Sequence, residues 1–224
     1  MKLIAQSLAS AVFGLLFFAV LLFIPAGTLS YWQAWVFIAV FMVATLVPSG
    51  YLAVKNPAAL RRRMRAGPSH ETRTVQKVVM SATILTIAAA LIVSALDHRF
   101  AWSHVPTAIV ILGNVLVAVG LGVAQFVVIQ NGYAAATITV ESEQTLVSTG
   151  MYGLVRHPMY VGALIMMIGM PPALDSYWGL LVLLPGVLAL AVRILDEEQM
   201  LSEQLTGYRE YMQKVHYRLV PHVW

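Results

Sequence analysis

Apolar runs of membrane-spanning length determine what this chain can fold into. Crossing a hydrocarbon core takes about 20 consecutive apolar residues in a helix. Four runs in the first 130 residues approach or exceed that length, and two shorter ones follow. The six runs cover residues 8–25, 31–54, 78–96, 106–129, 159–170 and 177–195. We therefore predict an all-α integral membrane protein with about six transmembrane helices, of which the last two form a helical hairpin.

Charged residues are scarce along the whole chain. They make up 11% of the 224 residues, and 59% are hydrophobic, whereas a soluble domain carries roughly 25% charged residues. So few charges could not cover the surface of a water-soluble fold. Their scarcity also excludes a disordered chain and a protein that binds nucleic acid through a broad basic face. The absence of cysteine excludes a disulfide framework, a thiolate zinc site and a cysteine nucleophile. We expect no bound metal and no nucleic-acid partner.

The basic residues predict how the helices are oriented. If the chain begins in the cytoplasm and crosses six times, the interior regions are loops 55–77 and 131–157 and the tail 193–224. These regions, with Lys2, hold 13 of the 14 basic residues, and Arg99 alone falls outside. By the positive-inside rule, both termini and the C-terminal region are expected to be cytoplasmic.

The chain is expected to divide near residue 130. Residues 1–130 hold transmembrane helices and a basic cytoplasmic loop at 55–77, and residues 131–224 hold the polar side chains on which chemistry could depend. Within the loop, a short membrane-surface helix over residues 58–64 would place its arginines near anionic lipid headgroups. The loop could equally serve only to fix the topology.

The fifth apolar run is short. Residues 158–170 would rise only about 20 Å as a helix, against a hydrocarbon core of about 30 Å, and two prolines then end it. Gly162 and Gly169 are seven residues apart and share one helical face, where a neighbouring backbone can approach closely.

Polar residues precede this fifth run. Alternation around Thr137 predicts a short extended segment. Pro158 suits the first turn of a helix, which would place Arg156 and His157 beside free backbone N–H groups that favour an anion. Taken alone, Arg156 could be an interface anchor and His157 an ordinary flanking residue.

The tail after the sixth run carries an acidic cluster. Arg193 and Glu197 stand four apart on one face of an apparent helix that runs to about Leu205. As a surface ion pair they would be worth only a few tenths of a kcal/mol, yet an acidic cluster at a membrane exit does not suit anionic lipid headgroups. The tyrosines after Gly207, and Trp224, are expected at the membrane interface.

Together these motifs resemble the isoprenylcysteine carboxyl methyltransferase family, which is related to the membrane phospholipid N-methyltransferases. The pattern R-H-P-x-Y-x-G at 156–162 is followed by R-x-x-x-E-E at 193–198, and the resemblance covers roughly residues 131–221. Met151 stands where the family commonly has proline, and residues 205–207 replace a Phe-Gly. The resemblance implies a membrane-embedded methyltransferase that uses S-adenosylmethionine without a Rossmann domain.

The resemblance also implies roles for individual residues. Arg193 matches the arginine that faces the carboxylate of the acceptor. Glu198, or His157, is a candidate base if the acceptor is an amine that must first lose a proton, whereas a carboxylate acceptor needs no base. The residues that match cofactor contacts are Gln144, Thr145, Leu146, Val147, Tyr152, His157, Pro158, Met159, Tyr160 and Glu197.

The expected function is carboxyl O-methylation of a hydrophobic, isoprenylcysteine-like acceptor that resides among membrane lipids. One alternative is N-methylation of a phospholipid or other lipid amine. Another is an NADPH-dependent reductase of the sterol type, although no arginine cluster for its phosphates lies near Arg156. A third alternative is a transporter or a structural membrane protein. Transporters usually have ionisable residues within their spans or internal repeats, whereas the first four apolar runs contain no charged residue and no repeat is apparent.

Overall fold

The computed structural model describes residues 2–64, 67–134 and 144–224. Over these ranges the chain forms nine α-helices and two 3-10 turns, at Pro68–His70 and Gly150–Gly153, and no β-strand. The predicted extended segment around Thr137 lies outside the described residues. The helices are α1 (Lys2–Ala26), α2 (Trp32–Lys55), α3 (Pro57–Met64), α4 (Thr74–Phe100), α5 (Thr107–Gln130), α6 (Pro158–Ala173), α7 (Trp178–Val182), α8 (Leu184–Gln204) and α9 (Tyr208–Lys214).

The apolar runs form helices close to their predicted positions. Five helical stretches of the described chain are long and apolar enough to cross a membrane, namely α1, α2, α4, α5 and α7 with α8. The remaining apolar helix, α6, has 16 residues and rises about 24 Å. The predicted all-α membrane fold is confirmed, with five long helices and, where the fifth apolar run is predicted to be short, the short helix α6.

The outer surface of the bundle is apolar, as a lipid-facing surface must be. Large hydrophobic side chains such as Phe13, Ile24 and Leu188 are about 70% exposed. The interior is filled by a separate set that includes Leu22 and Phe37, both almost completely buried. Packing between helices and contact with lipid therefore use different faces of the same apolar helices.

Four glycines bring α5 and α6 into backbone contact. A Cβ on Gly162 would lie 2.5 Å from the carbonyl oxygen of Gly120, and one on Gly169 would lie 2.6 Å from that of Gly113. No side chain fits such gaps, so the glycine face predicted on α6 packs directly on the preceding helix. The last two apolar helices, α6 and α7 with α8, follow each other in the chain as predicted for a hairpin, but α6 packs mainly on α5, and α8 mainly on α4.

The regions predicted to share one side of the membrane meet at one end of the bundle. Arg62 of α3 donates a hydrogen bond to the carbonyl of Gly132, 3.2 Å away, which joins the basic loop to the segment after α5. Arg73 forms an ion pair of 2.7 Å with Asp196 of α8. The short helix predicted over 58–64 is α3. The assignment of this end to the cytoplasm stays a prediction.

Candidate active site

An open cavity lies at this end of the bundle. It is bounded by the start of α6, the last turns of α8, segment 144–147 and α9. All ten residues predicted to contact the cofactor line it, and so does Arg193. The fold thus brings together residues from separate parts of the sequence, whose individual roles remain predictions.

Tyr152 is presented to the cavity by a tight turn. Gly150 has a φ of 60°, and the amide side chain of Gln130 packs against it and donates to the carbonyl of Thr149 at 2.6 Å. The hydroxyl of Tyr152 accepts a hydrogen bond from Asn131 at 3.2 Å. Burial raises the pKa of Tyr152 to about 12, so its phenol stays neutral in the cavity wall.

Glu197 is held by a chain of hydrogen bonds that begins at Arg193. The hydroxyl of Tyr160 donates to Glu197 Oε2 at 2.7 Å and accepts from Arg193 Nε at 3.0 Å. The Glu197 side chain keeps 22% of its surface exposed. The cavity therefore contains an oriented carboxylate that a cationic ligand can reach.

Arg193 is itself held from the other side by residues that sequence reasoning did not identify. Its Nη1 donates to Gln76 Oε1 at 2.8 Å, and its Nη2 donates to Glu71 Oε1 at 2.9 Å. Glu71 and Gln76 are 3% and 0% exposed. They precede Arg193 by 122 and 117 positions and belong to no motif, so only the fold reveals them.

Glu198 does not line the cavity. It is buried behind the wall, where it accepts hydrogen bonds from Arg156 Nε at 2.6 Å and Arg218 Nε at 2.9 Å. His157 Nε2 lies 3.1 Å from the same carboxylate. Since both carboxylate oxygens face these donors, this geometry does not support Glu198 as a base, and Arg156 is a buried ion-pair partner in place of an interface anchor.

The tail of the chain packs across the start of α6. The backbone N–H groups of Arg156 and His157 donate to the carbonyls of Tyr217 and Arg218, at 2.9 and 3.0 Å. The guanidinium of Arg218 lies 5.1 Å from the ring centre of Trp224. These contacts fasten residues after α9 to the wall of the cavity.

The tyrosines of α9 are buried in that wall, contrary to the expectation of a membrane-interface position. Tyr208 and Tyr211 are each 3% exposed. Tyr211 donates to the carbonyl of Tyr152 at 2.6 Å, but the hydroxyl of Tyr208 has no hydrogen-bond partner in the described part of the chain. Burial, and then the charges of Glu198 and Glu197, raise the pKa of Tyr208. An unsatisfied neutral hydroxyl at a cavity suits a ligand that accepts a hydrogen bond.

The two tyrosines give a paired test of this arrangement. We expect Tyr208→Phe to raise the free energy of unfolding of the ligand-free protein by about 1 kcal/mol, because it removes an unsatisfied buried hydroxyl. Tyr211→Phe should lower it by about 1 kcal/mol, because it removes a hydrogen bond. Denaturant unfolding of the detergent-solubilised protein measures both. If both variants were destabilised equally, the hydroxyl of Tyr208 would have a partner in the ligand-free state.

Comparison with known proteins places these residues in a family context. Residues 108–206 match the family model described as phospholipid methyltransferase. A Delta(14)-sterol reductase of Mus musculus is 35% identical over 95 residues, which cover 39% of this chain and 22% of the reductase. The matched segment therefore spans about a fifth of that relative's length.

The fold is shared along nearly the whole chain with a solved structure, the eukaryotic intramembrane Ras methyltransferase ICMT, an isoprenylcysteine carboxyl methyltransferase. The similarity covers 97% of this chain and 86% of that one, with a TM-score of 0.51 and 15% sequence identity, so it concerns the fold. The resemblance predicted from the sequence is confirmed: residues 108–206 match the phospholipid methyltransferase family model, within a chain that shares the membrane fold of an isoprenylcysteine carboxyl methyltransferase.

Proposed function

We propose that the protein is an integral-membrane methyltransferase that uses S-adenosylmethionine to methylate the carboxylate of a hydrophobic, isoprenylcysteine-like acceptor. The observation that carries this proposal is the hydrogen-bonded series Arg193–Tyr160–Glu197 in the wall of the cavity. The family match and the shared fold support the same class of activity.

The chemistry of the cavity residues fits the parts of the cofactor. Glu197, fixed by Tyr160, suits the ammonium group, because a charge-assisted hydrogen bond is stronger than a neutral one. The aromatic ring faces of Tyr152 and Tyr160 suit the sulfonium. The unpartnered hydroxyl of Tyr208 suits an acceptor atom such as a carboxylate oxygen, and segment 144–147 would contribute backbone groups. When bound, the cofactor supplies an electrophilic methyl group that needs no further activation.

The protein's own contribution to the reaction is positioning and exclusion of water. The geometry favours a carboxylate acceptor, because such an acceptor arrives deprotonated. An amine acceptor would need a base, but Glu198 is enclosed by Arg156 and Arg218, and His157 Nε2 faces the carboxylate of Glu198 at 3.1 Å.

Two observations favour other acceptors or chemistry. The matched family model is that of the phospholipid methyltransferases, which favours a lipid amine, and the sterol reductase similarity favours NADPH. Against the second, the arginines that line the described cavity wall, Arg156 and Arg193, are both paired with carboxylates, with which the phosphates of a dinucleotide would have to compete.

Calorimetry on the detergent-solubilised full chain tests the proposal. We expect S-adenosylmethionine to bind and NADPH not to bind. Glu197→Gln should weaken the binding by tenfold or more, since a hydrogen bond to a charged group contributes roughly 1.5–3 kcal/mol. Glu203→Gln, an exposed carboxylate on the same helix, is the matched control and should bind as the wild type does.

The outcomes separate the alternatives. Heat of binding with NADPH and none with S-adenosylmethionine would support a reductase. If neither cofactor bound, the proposed function would be wrong. If Glu197→Gln and Glu203→Gln weakened the binding of S-adenosylmethionine equally, Glu197 would have no specific role in binding the cofactor.

A further inference from the structure

The helix α3 packs its apolar side against the wall of the cavity. Ala59 and Leu60 are 0% and 3% exposed and belong to a buried cluster at the ends of α2 and α5. Tyr152 and Met159, which line the cavity, pack against the same cluster. The helix that carries these arginines therefore lies beside the site.

Arg63 approaches the cavity from this helix. Its Nη1 lies 3.2 Å from the sulfur of Met159, a weak acceptor. Burial lowers the pKa of Arg63, although a guanidinium remains charged in proteins. Within the described residues, no carboxylate lies within 4.0 Å of it as an ion-pair partner.

The neighbouring arginines of α3 are placed differently. Arg62 donates to the carbonyl of Gly132 and lies over the ring of Tyr133, 4.7 Å from its centre. Arg61 is exposed. A partly buried cation that faces a thioether is poorly compensated, so Arg63 has the position and the charge to receive an anion from a ligand.

Arg193, by contrast, already uses each nitrogen of its guanidinium. These nitrogens donate to Tyr160, Gln76 and Glu71. An acceptor anion bound there would compete with these buried groups for the guanidinium, and displacing one of them would disturb the support of Glu197.

We propose that Arg63 binds the anionic group of the methyl acceptor, and that Arg193 is a positioning residue for Tyr160 and Glu197. The inference rests on the proposed function in that the ligand is a methyl acceptor. It makes α3 part of the substrate site, at the membrane surface where the headgroup of a lipid-like acceptor would lie.

The anion has two possible sources. One is the carboxylate of a prenylated cysteine, and the other is the phosphate of a phospholipid. Both groups are oxyanions, and a guanidinium binds either of them through charge-assisted hydrogen bonds. The experiment therefore uses a pair of probes for each source.

Binding is measured on the detergent-solubilised full chain without cofactor. The first pair is N-acetyl-S-farnesylcysteine and its carboxamide, and the second is a short-chain phosphatidylethanolamine and the diacylglycerol of equal chain length. In one of the two pairs, we expect the wild type to bind the member that carries the carboxylate or phosphate about tenfold to a hundredfold more tightly than the member that lacks it. Arg63→Gln should bind both members equally, whereas the exposed Arg61→Gln on the same helix should keep the preference.

The results distinguish this inference from the proposed function, because no methyl group is transferred. If cofactor binding fails in the earlier test but Arg63→Gln abolishes the preference here, only the proposed function is wrong. If the preference survives in Arg63→Gln, or is lost in Arg193→Lys alone, the role of Arg63 is wrong. The same holds if the wild type prefers the anion in neither pair.

Discussion

Replacing Arg156 by alanine is expected to lower the free energy of unfolding by about 3 kcal/mol and to release the tail from the cavity. Arg156 is 7% exposed. Its side chain donates to Glu198 at 2.6 Å and to the carbonyls of Val215 and His216, both at 2.8 Å. Breaking a buried ion pair by removing one partner costs about 3–5 kcal/mol. We expect the lower end, because two other donors to Glu198 remain.

Denaturant unfolding and limited proteolysis measure these two effects. Cleavage after α9 should become faster in Arg156→Ala, and cofactor binding should be lost with it, because α9 supplies Tyr208 and Tyr211 to the cavity wall. Lys214→Ala removes an exposed cation from the same part of the chain and should change neither quantity. Unaltered protease resistance in Arg156→Ala would mean that the tail is held by its backbone contacts alone.

The helices could be predicted because the bilayer imposes a length on them. An apolar run of about 20 residues is typical of a transmembrane helix. Pro158 predicts the start of α6, because the first turn of a helix tolerates its missing N–H. The partner of α6 could not be predicted in the same way. Gly162 and Gly169 indicate that some backbone approaches closely, but they do not say that it is the backbone of Gly113 and Gly120.

The residues of the cavity could be predicted only where a motif includes them. Glu197 and Glu198 are adjacent, and consecutive residues on a helix point about 100° apart, so one faces the cavity and the other faces Arg156 behind it. Helix geometry alone does not indicate which one faces the cavity, and only the family resemblance assigns Glu197 to the cofactor. Glu71 and Gln76 lie more than a hundred positions from Arg193, and no sequence pattern joins residues so distant. Arg63 appears in sequence as one of several similar arginines.

Replacing Arg193 by methionine should cause the largest loss of stability, about 3–5 kcal/mol. The side chain of Glu71 is completely buried, so its charge would lose its compensation, and Gln76 and Tyr160 would each lose a donor. The double variant Arg193→Met/Glu71→Met should recover part of this loss, because a buried ion pair can be replaced by apolar side chains at little cost. Denaturant unfolding of both single variants and the double variant gives the coupling energy.

A third variant separates positioning from stability. Arg193→Lys keeps the charge beside Glu71 but cannot donate in three fixed directions, so Tyr160 and Glu197 should lose their orientation. We expect this variant to stay folded while its Kd for S-adenosylmethionine rises about tenfold, as expected when one charged hydrogen bond is lost. Arg209→Lys, on the exposed side of α9, should leave the Kd unchanged. An unchanged Kd in Arg193→Lys would show that Arg193 stabilises the bundle without orienting Glu197, and the hydrogen-bonded series would then have no part in binding the cofactor.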